Sequence, residues 1–374
     1  MTIHWCGTGL SAIPGLRRLI TSGHDVAVYN RTVDKAREAV GDLTDRIHAF
    51  DIDALDLAPG DVVVSMLPGD WHVPLAQKAI GAGAHFVSSS YIAPEMRALD
   101  EAAKAAGVVL VNEVGLDPGI DHLMAHALVA EFKAAGSPGA DEAVAFLSYC
   151  GGIPKTPNPF RYKFSWSPVG VLKALRSPSR SIKDFAEWNV AKPWDALSAY
   201  AAPLPTPETF EVYPNRDSLP FMQDYAFDPD WRVETFVRGT LRLDGWADAW
   251  QDVFAEGGTA SDDRLKEMSA GFWAENTYAE GEPDRVVLCV DLRSGPAAAP
   301  AWHKTYVMDA WGTAESSAMA RLVSVPVAMA VETALAGKLA PGVQPAPSDP
   351  ALVSAWLDEV GRLAQHLEIV DHIG

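Results

Sequence analysis

Apolar positions in the first 132 residues follow two alternating rhythms. Short, mostly apolar runs at 2–6, 25–29, 61–66, 85–88 and 108–111 predict buried strands. Between them apolar residues recur at helical spacing. Ile13, Leu16, Leu19 and Ile20 form one such face, 71–82 a second, and 93–106 a third that closes at Gly107. Strand and helix in strict alternation predict a Rossmann-type, doubly wound, mostly parallel sheet covered on both faces. After Phe132 the rhythm changes. Residues 143–150 predict a strand ending at Gly151-Gly152, and 231–243 alternate like a strand. Residues 154–229 are rich in proline and aromatics with little periodicity, which reads as a set of binding loops. Residues 244–254 look helical. Strands at 286–292 and 303–308 are joined by a Gly/Pro/Ala loop. A long helix over 316–336 stops at Gly337, and a final helix covers about 350–365. The expected organisation is a nucleotide-binding Rossmann domain over 1–120, a substrate-binding α/β domain with a mostly antiparallel or mixed sheet over 121–315, and a C-terminal helical segment over 316–374.

Composition narrows the classes. The chain has 374 residues, 48% hydrophobic and 21% charged, which is enough for two or three well-packed domains. Its net charge of −19 argues against nucleic acid and against anionic membrane surfaces as partners. An anionic substrate would then need a local cluster of positive charge. Cys6, Cys150 and Cys289 are too few and too scattered for a disulfide framework or a zinc site, so no metal is expected and a reducing, cytoplasmic setting fits. The first strand begins almost at Met1, so no secretory or transit segment is expected. The apolar stretch 316–336 contains Arg321, Pro326 and Glu332 and reads as a core helix rather than a membrane span.

The first strand runs into Gly7-Thr8-Gly9-Leu10-Ser11-Ala12, a G-x-G-x-x-A turn that opens a helix. Gly7 permits the turn, Gly9 lets the backbone approach a pyrophosphate, and Ala12 allows close helix–strand packing. The second strand ends at Asn30-Arg31-Thr32, where an NAD enzyme usually has an acid for the ribose 2′-hydroxyl. A guanidinium there suits a 2′-phosphate, so NADP is expected over NAD. Val111 to His122 reads V-N-E-V-G-L-D-P-G-I-D-H, a strand end followed by a stiff turn and a helix. Asp117 sits in that turn at the carboxyl edge of the sheet, where ligands bind in such folds. It is either a helix cap or a group that touches the reacting atoms. Further clusters are Ser89-Ser90-Tyr91, the segment from Ser148 through Cys150 to Gly152, and Tyr162 to Ser167. Arg161, Lys163, Arg216, Arg238 and Arg242 supply positive charge that the acidic surface lacks, and together suggest a carboxylate-binding pocket.

At these residues the chain closely resembles the saccharopine reductase family. The matching segments run almost end to end: the G-x-G-x-x-A start, N-R-T, S-S-Y, N-E-V-G-L-D-P-G-I-D-H, S-Y-C-G-G, Y-K-F-S-W-S, Y-P-N-R-D-S, R-G-T-L-R and S-S-A-M-A-R-L-V-S-V-P. The resemblance implies NADP-dependent, reversible reduction of the imine formed from glutamate and 2-aminoadipate 6-semialdehyde to saccharopine, within lysine metabolism and amino-acid biosynthesis. It implies that the C-terminal segment packs back toward the nucleotide domain. Carried over by residue, Gly9, Leu10 and Ser11 would touch the pyrophosphate, with Gly7 and Ala12 completing the cofactor-binding turn, and Asn30, Arg31 and Thr32 would hold the 2′-phosphate. Ser89, Ser90, Leu116, Asp117, Pro118 and Ser167 would line the cofactor. Ser90, Tyr91, Asp117, Arg216, Thr240, Leu241 and Arg242 would contact the substrate. Asp117, Tyr91 and Cys150 are the candidates for the catalytic centre, with Cys150 no nucleophile because hydride transfer needs none. Which of Asp117 and Tyr91 serves as general acid stays open, as does a role for the substrate's own amine. The chain departs from the family at 244–285, where only a short helical remnant replaces a larger insertion, and at Gly69-Asp70-Trp71. Two other readings remain: a related NADPH-dependent imine reductase for another amine–aldehyde adduct, and a nucleotide binder without turnover. The expected partners are a small-molecule substrate, no nucleic acid, no membrane and, as the one assembly allowed for, a homodimer.

Overall fold

A computed structural model describes residues 1–373. Two compact units divide the chain: 1–123 with 320–360, and 124–319 with 361–374. In the first unit, strands β1 (Ile3–Cys6), β2 (Val26–Asn30), β3 (Ile47–Ala49), β4 (Val62–Ser65), β5 (His85–Ser88) and β6 (Val109–Val111) form a wholly parallel sheet with Gly342–Gln344 (β15). The order is β15-β6-β5-β4-β1-β2-β3. It reverses direction beside β1, the switch point of a doubly wound fold. The short strands β3 and β15 have no run long enough to predict; each is carried by pairing to one neighbour.

Helices α1 (Ile13–Thr21), α2 (Val33–Val40), α3 (His72–Ala82), α4 (Pro94–Arg97) and α5 (Asp100–Ala106) connect the strands. The single helix expected over 93–106 is two. A tight i→i−3 bond from Leu99 N to Met96 O resets the turn before α5 starts. Gly107 does end it, with φ +67°. Val63, Leu75, Ala79, Phe86 and Leu110 belong to the core cluster of this unit. Helix α6 (Ile120–Ala134) carries the chain into the second unit.

The second unit holds a nine-stranded mixed sheet. Its strands are β7 (Val144–Pro154), β8 (Ser179–Lys183), β9 (Ala186–Val190), β10 (Ser198–Ala202), β11 (Glu208–Pro214), β12 (Val233–Leu243), β13 (Asp284–Ser294), β14 (Trp302–Trp311) and β16 (His366–Asp371). The central path is β10-β11-β12-β7-β13-β14-β16, and β8 pairs with β12 and β9. Only β12 and β7 run parallel. Three sequence expectations need correction. Strand β7 does not stop at Gly151-Gly152; the pair continues the ladder opposite Val287 and Val286. A Cβ on Gly151 would lie 2.3 Å from the Leu241 carbonyl oxygen, so glycine here serves close strand packing. The supposed loop region 154–229 contains four strands, two of them forming the β8–β9 hairpin. Finally, 366–371 is an edge strand on β14, not part of a helical end.

Alternation along β12 gives the sheet two different faces. Val237, Leu241 and Leu243 enter a core with Tyr149, Phe210 and Val287. Arg238, Thr240 and Arg242 point the other way. On that side Tyr162, Phe164, Tyr213, Trp246 and Trp250 pack with helices α7 (Pro168–Ala174), α9 (Trp246–Ala249), α10 (Gln251–Gly257) and α11 (Asp262–Glu275); α8 (Pro220–Asp224) follows β11.

Helix α12 (Ala318–Leu335) returns the chain to the first unit, and α13 (Pro350–Leu363) follows β15. α12 is long and apolar enough to span a membrane by composition, yet 83% of it is buried inside the protein. It meets α1 backbone to backbone at Gly15. The Gly15 amide donates to Ser324 Oγ at 2.8 Å, and a Cβ on Gly15 would lie 1.9 Å from the Ser324 carbonyl oxygen. Gly15→Ala gains about 1 kcal/mol of helix propensity. Backbone cannot yield to a clash of that size, so overpacking of about 1–3 kcal/mol or more should win. The urea midpoint should fall; an unchanged or raised midpoint would refute the helix contact.

Candidate active site

The carboxyl edge of the parallel sheet gathers most of the residues picked out from sequence. The glycine turn follows β1 and Asn30-Arg31-Thr32 follows β2, on neighbouring strands. Gly7 adopts φ +105°, with no room for a Cβ against the Met66 carbonyl. Gly9 is different: a Cβ there would meet nothing within 4 Å, so the protein itself does not demand glycine. Thr8 Oγ1 is buried without a partner. Helix α1 has no side-chain cap at Ala12. An open glycine, an orphaned hydroxyl and an uncapped helix N-terminus fit a pyrophosphate. Asn30 braces this turn: Oδ1 accepts from Thr8 N at 3.2 Å and Nδ2 donates to Thr32 O at 2.8 Å. Arg31 is exposed beside it.

The loops after β5 and β6 are tied together by one buried acid. Glu113 has φ +56° and is 5% exposed. Its Oε1 accepts from Ile92 N at 2.8 Å, its Oε2 faces His122 Nε2 at 3.1 Å, and its amide donates to Ser90 O at 3.1 Å. Next comes the turn. Gly119 has φ +147°, and a Cβ there would strike Gly115 O at 2.2 Å, so only glycine closes it. Asp121 Oδ1 takes the Gly119 amide at 2.7 Å. Leu116 and Pro118 are buried and the Asp117–Pro118 peptide is cis. Asp117, half-buried, accepts the Tyr91 hydroxyl at 2.8 Å on Oδ1. Two of the three expected catalytic residues therefore meet directly. With its proton directed to Asp117, Tyr91 has only acceptor capacity left for any further partner.

Beneath this loop lies a residue that sequence reading missed. His72, the first residue of α3, is buried between two hydroxyls. Ser65 Oγ lies 2.8 Å from its Nδ1 and Ser90 Oγ 2.8 Å from its Nε2. A single histidine after a tryptophan carries no periodic or motif signal. Trp71 is 38% exposed and edge-on to Phe50.

In the second unit the expected residues separate by sheet face. Thr240 and Arg242 share one face with Cys150, the buried β7 partner of Thr240. Leu241 points into the opposite core and can offer only backbone to a ligand on the Arg242 face; its carbonyl accepts from Arg242 Nη1 at 3.1 Å. Thr240 Oγ1 accepts from Asn215 at 2.7 Å. The Arg242 guanidinium is 7% exposed and lies 5.0 to 5.6 Å from the rings of Tyr162, Tyr213 and Trp246. Its Nε has no partner, and among the described residues it pairs with no carboxylate. Burial pushes the Tyr213 phenol up, and Arg242 opposes that. A buried cation without an anion is costly, by about several kcal/mol, and is a ready anion site. Lys163 does not belong to that set: its ammonium is spent on Glu282, at 2.7 and 2.6 Å. Arg238 is buried over Phe221, and Arg161 is half-buried with φ +54°. Arg216 is exposed, with φ +55°. Ser167 caps α7, accepting from Gly170 N.

Asp291, His303 and His372 bring ligand atoms within 4.8 Å of one another. The two rings stack at 4.0 Å and 19°, so their lone pairs run side by side instead of converging on an ion. Thr305 bonds both Asp291 and His372, which makes the cluster a clasp on the end of the chain.

The parallel sheet with its glycine turn defines a dinucleotide-binding α/β protein, and the second sheet carries the buried arginine. Residues 6–111 match the saccharopine dehydrogenase NADP binding domain and 115–363 the saccharopine dehydrogenase C-terminal domain. The chain belongs to the saccharopine dehydrogenase family. It is 41% identical over 251 residues to the NADP(+), L-glutamate-forming saccharopine dehydrogenase of Pyricularia oryzae, covering 64% of this chain and 54% of that protein. The Saccharomyces cerevisiae protein of the same name is 38% identical over 257 residues, with the same coverage. The chain thus spans about half the length of the curated relatives it matches. Its fold matches the apo L-Glu-forming saccharopine dehydrogenase structure from S. cerevisiae with a TM-score of 0.79 and 27% identity, over 99% of both chains.

One consequence of the geometry is a pH dependence of stability. Burial lowers the His72 pKa from 6.5 to about 4. The unfolded chain therefore binds this proton first as pH falls. The stabilisation is fully present above pH 6.5 and is lost as pH drops from about 6.5 toward 4. At about 1.4 kcal/mol per unit this is about 2–4 kcal/mol. His72→Gln should flatten the stability–pH curve in that window by this amount, measured by urea unfolding at stepped pH. Parallel curves for the two proteins would refute it.

Proposed function

We propose that the chain is a cytoplasmic, NADP-dependent oxidoreductase acting on CH–NH bonds, a glutamate-forming saccharopine dehydrogenase of lysine metabolism. It would interconvert saccharopine and the imine of glutamate with 2-aminoadipate 6-semialdehyde. The observation that carries this reading is the buried Arg242 guanidinium without a carboxylate partner in a protein of net charge −19. Saccharopine carries three carboxylates, and the curated relatives from P. oryzae and S. cerevisiae bear that enzyme's name. A substrate carboxylate would complete the hydrogen bonding of Arg242, with Arg216 as a second, exposed cation.

NADP, when bound, supplies a hydride donor and acceptor at its nicotinamide ring. The residues of this chain do the rest. Gly9, Leu10 and Ser11 would hold the pyrophosphate, while Arg31 and Thr32 would hold the 2′-phosphate. Ser89, Leu116 and Pro118 would flank the cofactor. Asp117 and Tyr91 act as one acid–base unit that shares a proton across 2.8 Å. Reduction of the imine consumes one proton at nitrogen in addition to the hydride at carbon. The negative Asp117–Tyr91 pair favours the protonated imine, the form that accepts hydride. Cys150 lines the Thr240 face and transfers nothing.

A steady-state absorbance assay of NADP(H) with saccharopine and a panel of amines tests the assignment. Turnover with saccharopine and a preference for NADP over NAD are expected. Arg31→Asp should weaken NADPH affinity roughly 10- to 100-fold, the worth of a charge-assisted contact. Equal use of both cofactors by the native protein would remove the Arg31 argument.

Asp117→Asn separates a chemical role from a structural one. The amide can still accept from Tyr91, so folding should be nearly intact. Loss of the charge should slow single-turnover NADPH oxidation roughly 10- to 1000-fold, about 1.4–4 kcal/mol of electrostatic stabilisation. Unchanged turnover with a small shift in melting would reduce Asp117 to a structural residue.

A further inference from the structure

We infer that His72 is a positioning residue that holds Ser90 Oγ as an acceptor and so turns the Ser90 hydroxyl proton toward the ligand, where it meets a hydrogen-bond acceptor oxygen. The argument is an accounting of protons. Ser65 is 1% exposed, at the end of β4, and the one side-chain hydrogen bond of its hydroxyl is to His72 Nδ1 at 2.8 Å. A buried O–H that fails to donate costs about 1–3 kcal/mol. Ser65 must therefore donate, and Nδ1 must be the unprotonated nitrogen. A neutral imidazole has one donor and one acceptor, so the proton sits on Nε2 and points at Ser90 Oγ, 2.8 Å away. A doubly protonated ring would leave Ser65 with no acceptor. Burial keeps the ring neutral at ordinary pH.

Ser90 has little other freedom. Its carbonyl accepts from the Glu113 amide, and its own amide faces Ser88 Oγ at 3.4 Å. The remaining variable is where its hydroxyl proton goes. With Oγ accepting from His72, that proton is directed away from the ring. Next along the chain, Tyr91 presents the opposite polarity, because its proton is given to Asp117. Adjacent residues thus offer one donor and one acceptor, a pairing suited to an amino-acid ligand whose carboxylate and amine differ in polarity. This rests on the reading of the β5 loop as part of the substrate site. The acceptor oxygen is a substrate carboxylate or the carboxamide of the nicotinamide.

Two measurements on the full chain test it. With 15N-labelled histidine, long-range 1H–15N correlations of the ligand-free protein, assigned by comparison with His72→Gln, should show the Nε2–H tautomer, and Ser65→Ala should relax it toward a mixture. An Nδ1–H tautomer in the native protein would overturn the inference whether or not saccharopine is the substrate. Second, His72→Leu should raise the KM for the acceptor-bearing ligand roughly 3- to 10-fold, the worth of one hydrogen bond, with a smaller change in kcat. His72→Gln, which keeps an N–H near the same point, should recover most of the loss. A KM change confined to saccharopine assigns the oxygen to the substrate, and one confined to NADPH assigns it to the cofactor. Equal failure of Gln and Leu, or no effect of Leu on either ligand, would overturn the positioning role. Absence of saccharopine turnover in the native protein would instead remove the proposed function, leaving the tautomer result to stand by itself.

Discussion

A single buried carboxylate decides whether the strand-end loops form a site. Glu113 leaves β6 in the left-handed region, which a residue with a side chain adopts only when its surroundings compel it. That turn brings its two oxygens to different tasks. One holds the Ile92 amide and the other His122. A carboxylate removed from water must find such partners or cost several kcal/mol. Here the partners belong to the β5 loop and to the start of α6, so burying the acid and assembling the loops are one event. The Tyr91–Asp117 contact lies across the same gap and is available because Glu113 has closed it.

Several half-buried cations in the second unit follow the same rule. Arg285 is held by Asp309 and Glu208, and Lys163 by Glu282. In a chain with 49 acids and 30 lysines and arginines, a carboxylate is rarely hard to find. Arg242 is surrounded by three aromatic rings instead, which desolvate the guanidinium while stabilising it through their faces. The acid opposite it on β11, Glu211, is taken by the Gly245 and Ala247 amides at 3.0 and 2.7 Å, so it does not pair with the guanidinium. The sorting of structural from binding cations is therefore made by the neighbours, and charge counts along the chain cannot make it.

That distinction marks the limit of what the sequence discloses. The glycine turn, the strand–helix alternation and the stiff Gly-Leu-Asp-Pro-Gly turn are local, so periodicity and spacing expose them. Lys163 and Arg242 look equivalent in sequence because Glu282 and the aromatic cage arrive from remote segments. Gly151-Gly152 reads as a terminator until β12 is packed against it, and 366–371 reads as a tail until β14 supplies an edge. His72 needs both Ser65 and Ser90, brought to it from neighbouring strands. Asn30 makes the same point where the motif was read correctly. Its place after β2 marks it as a ligand for the 2′-phosphate, yet its oxygen and nitrogen are both committed to Thr8 and Thr32. An aspartate there could accept from Thr8 but could not donate to Thr32. An amide at position 30 is thus required by the turn itself, and the absence of an acid, which favours NADP, follows from how the loop is braced. The proposed contact with the 2′-phosphate therefore rests on Arg31, the neighbour the fold leaves exposed.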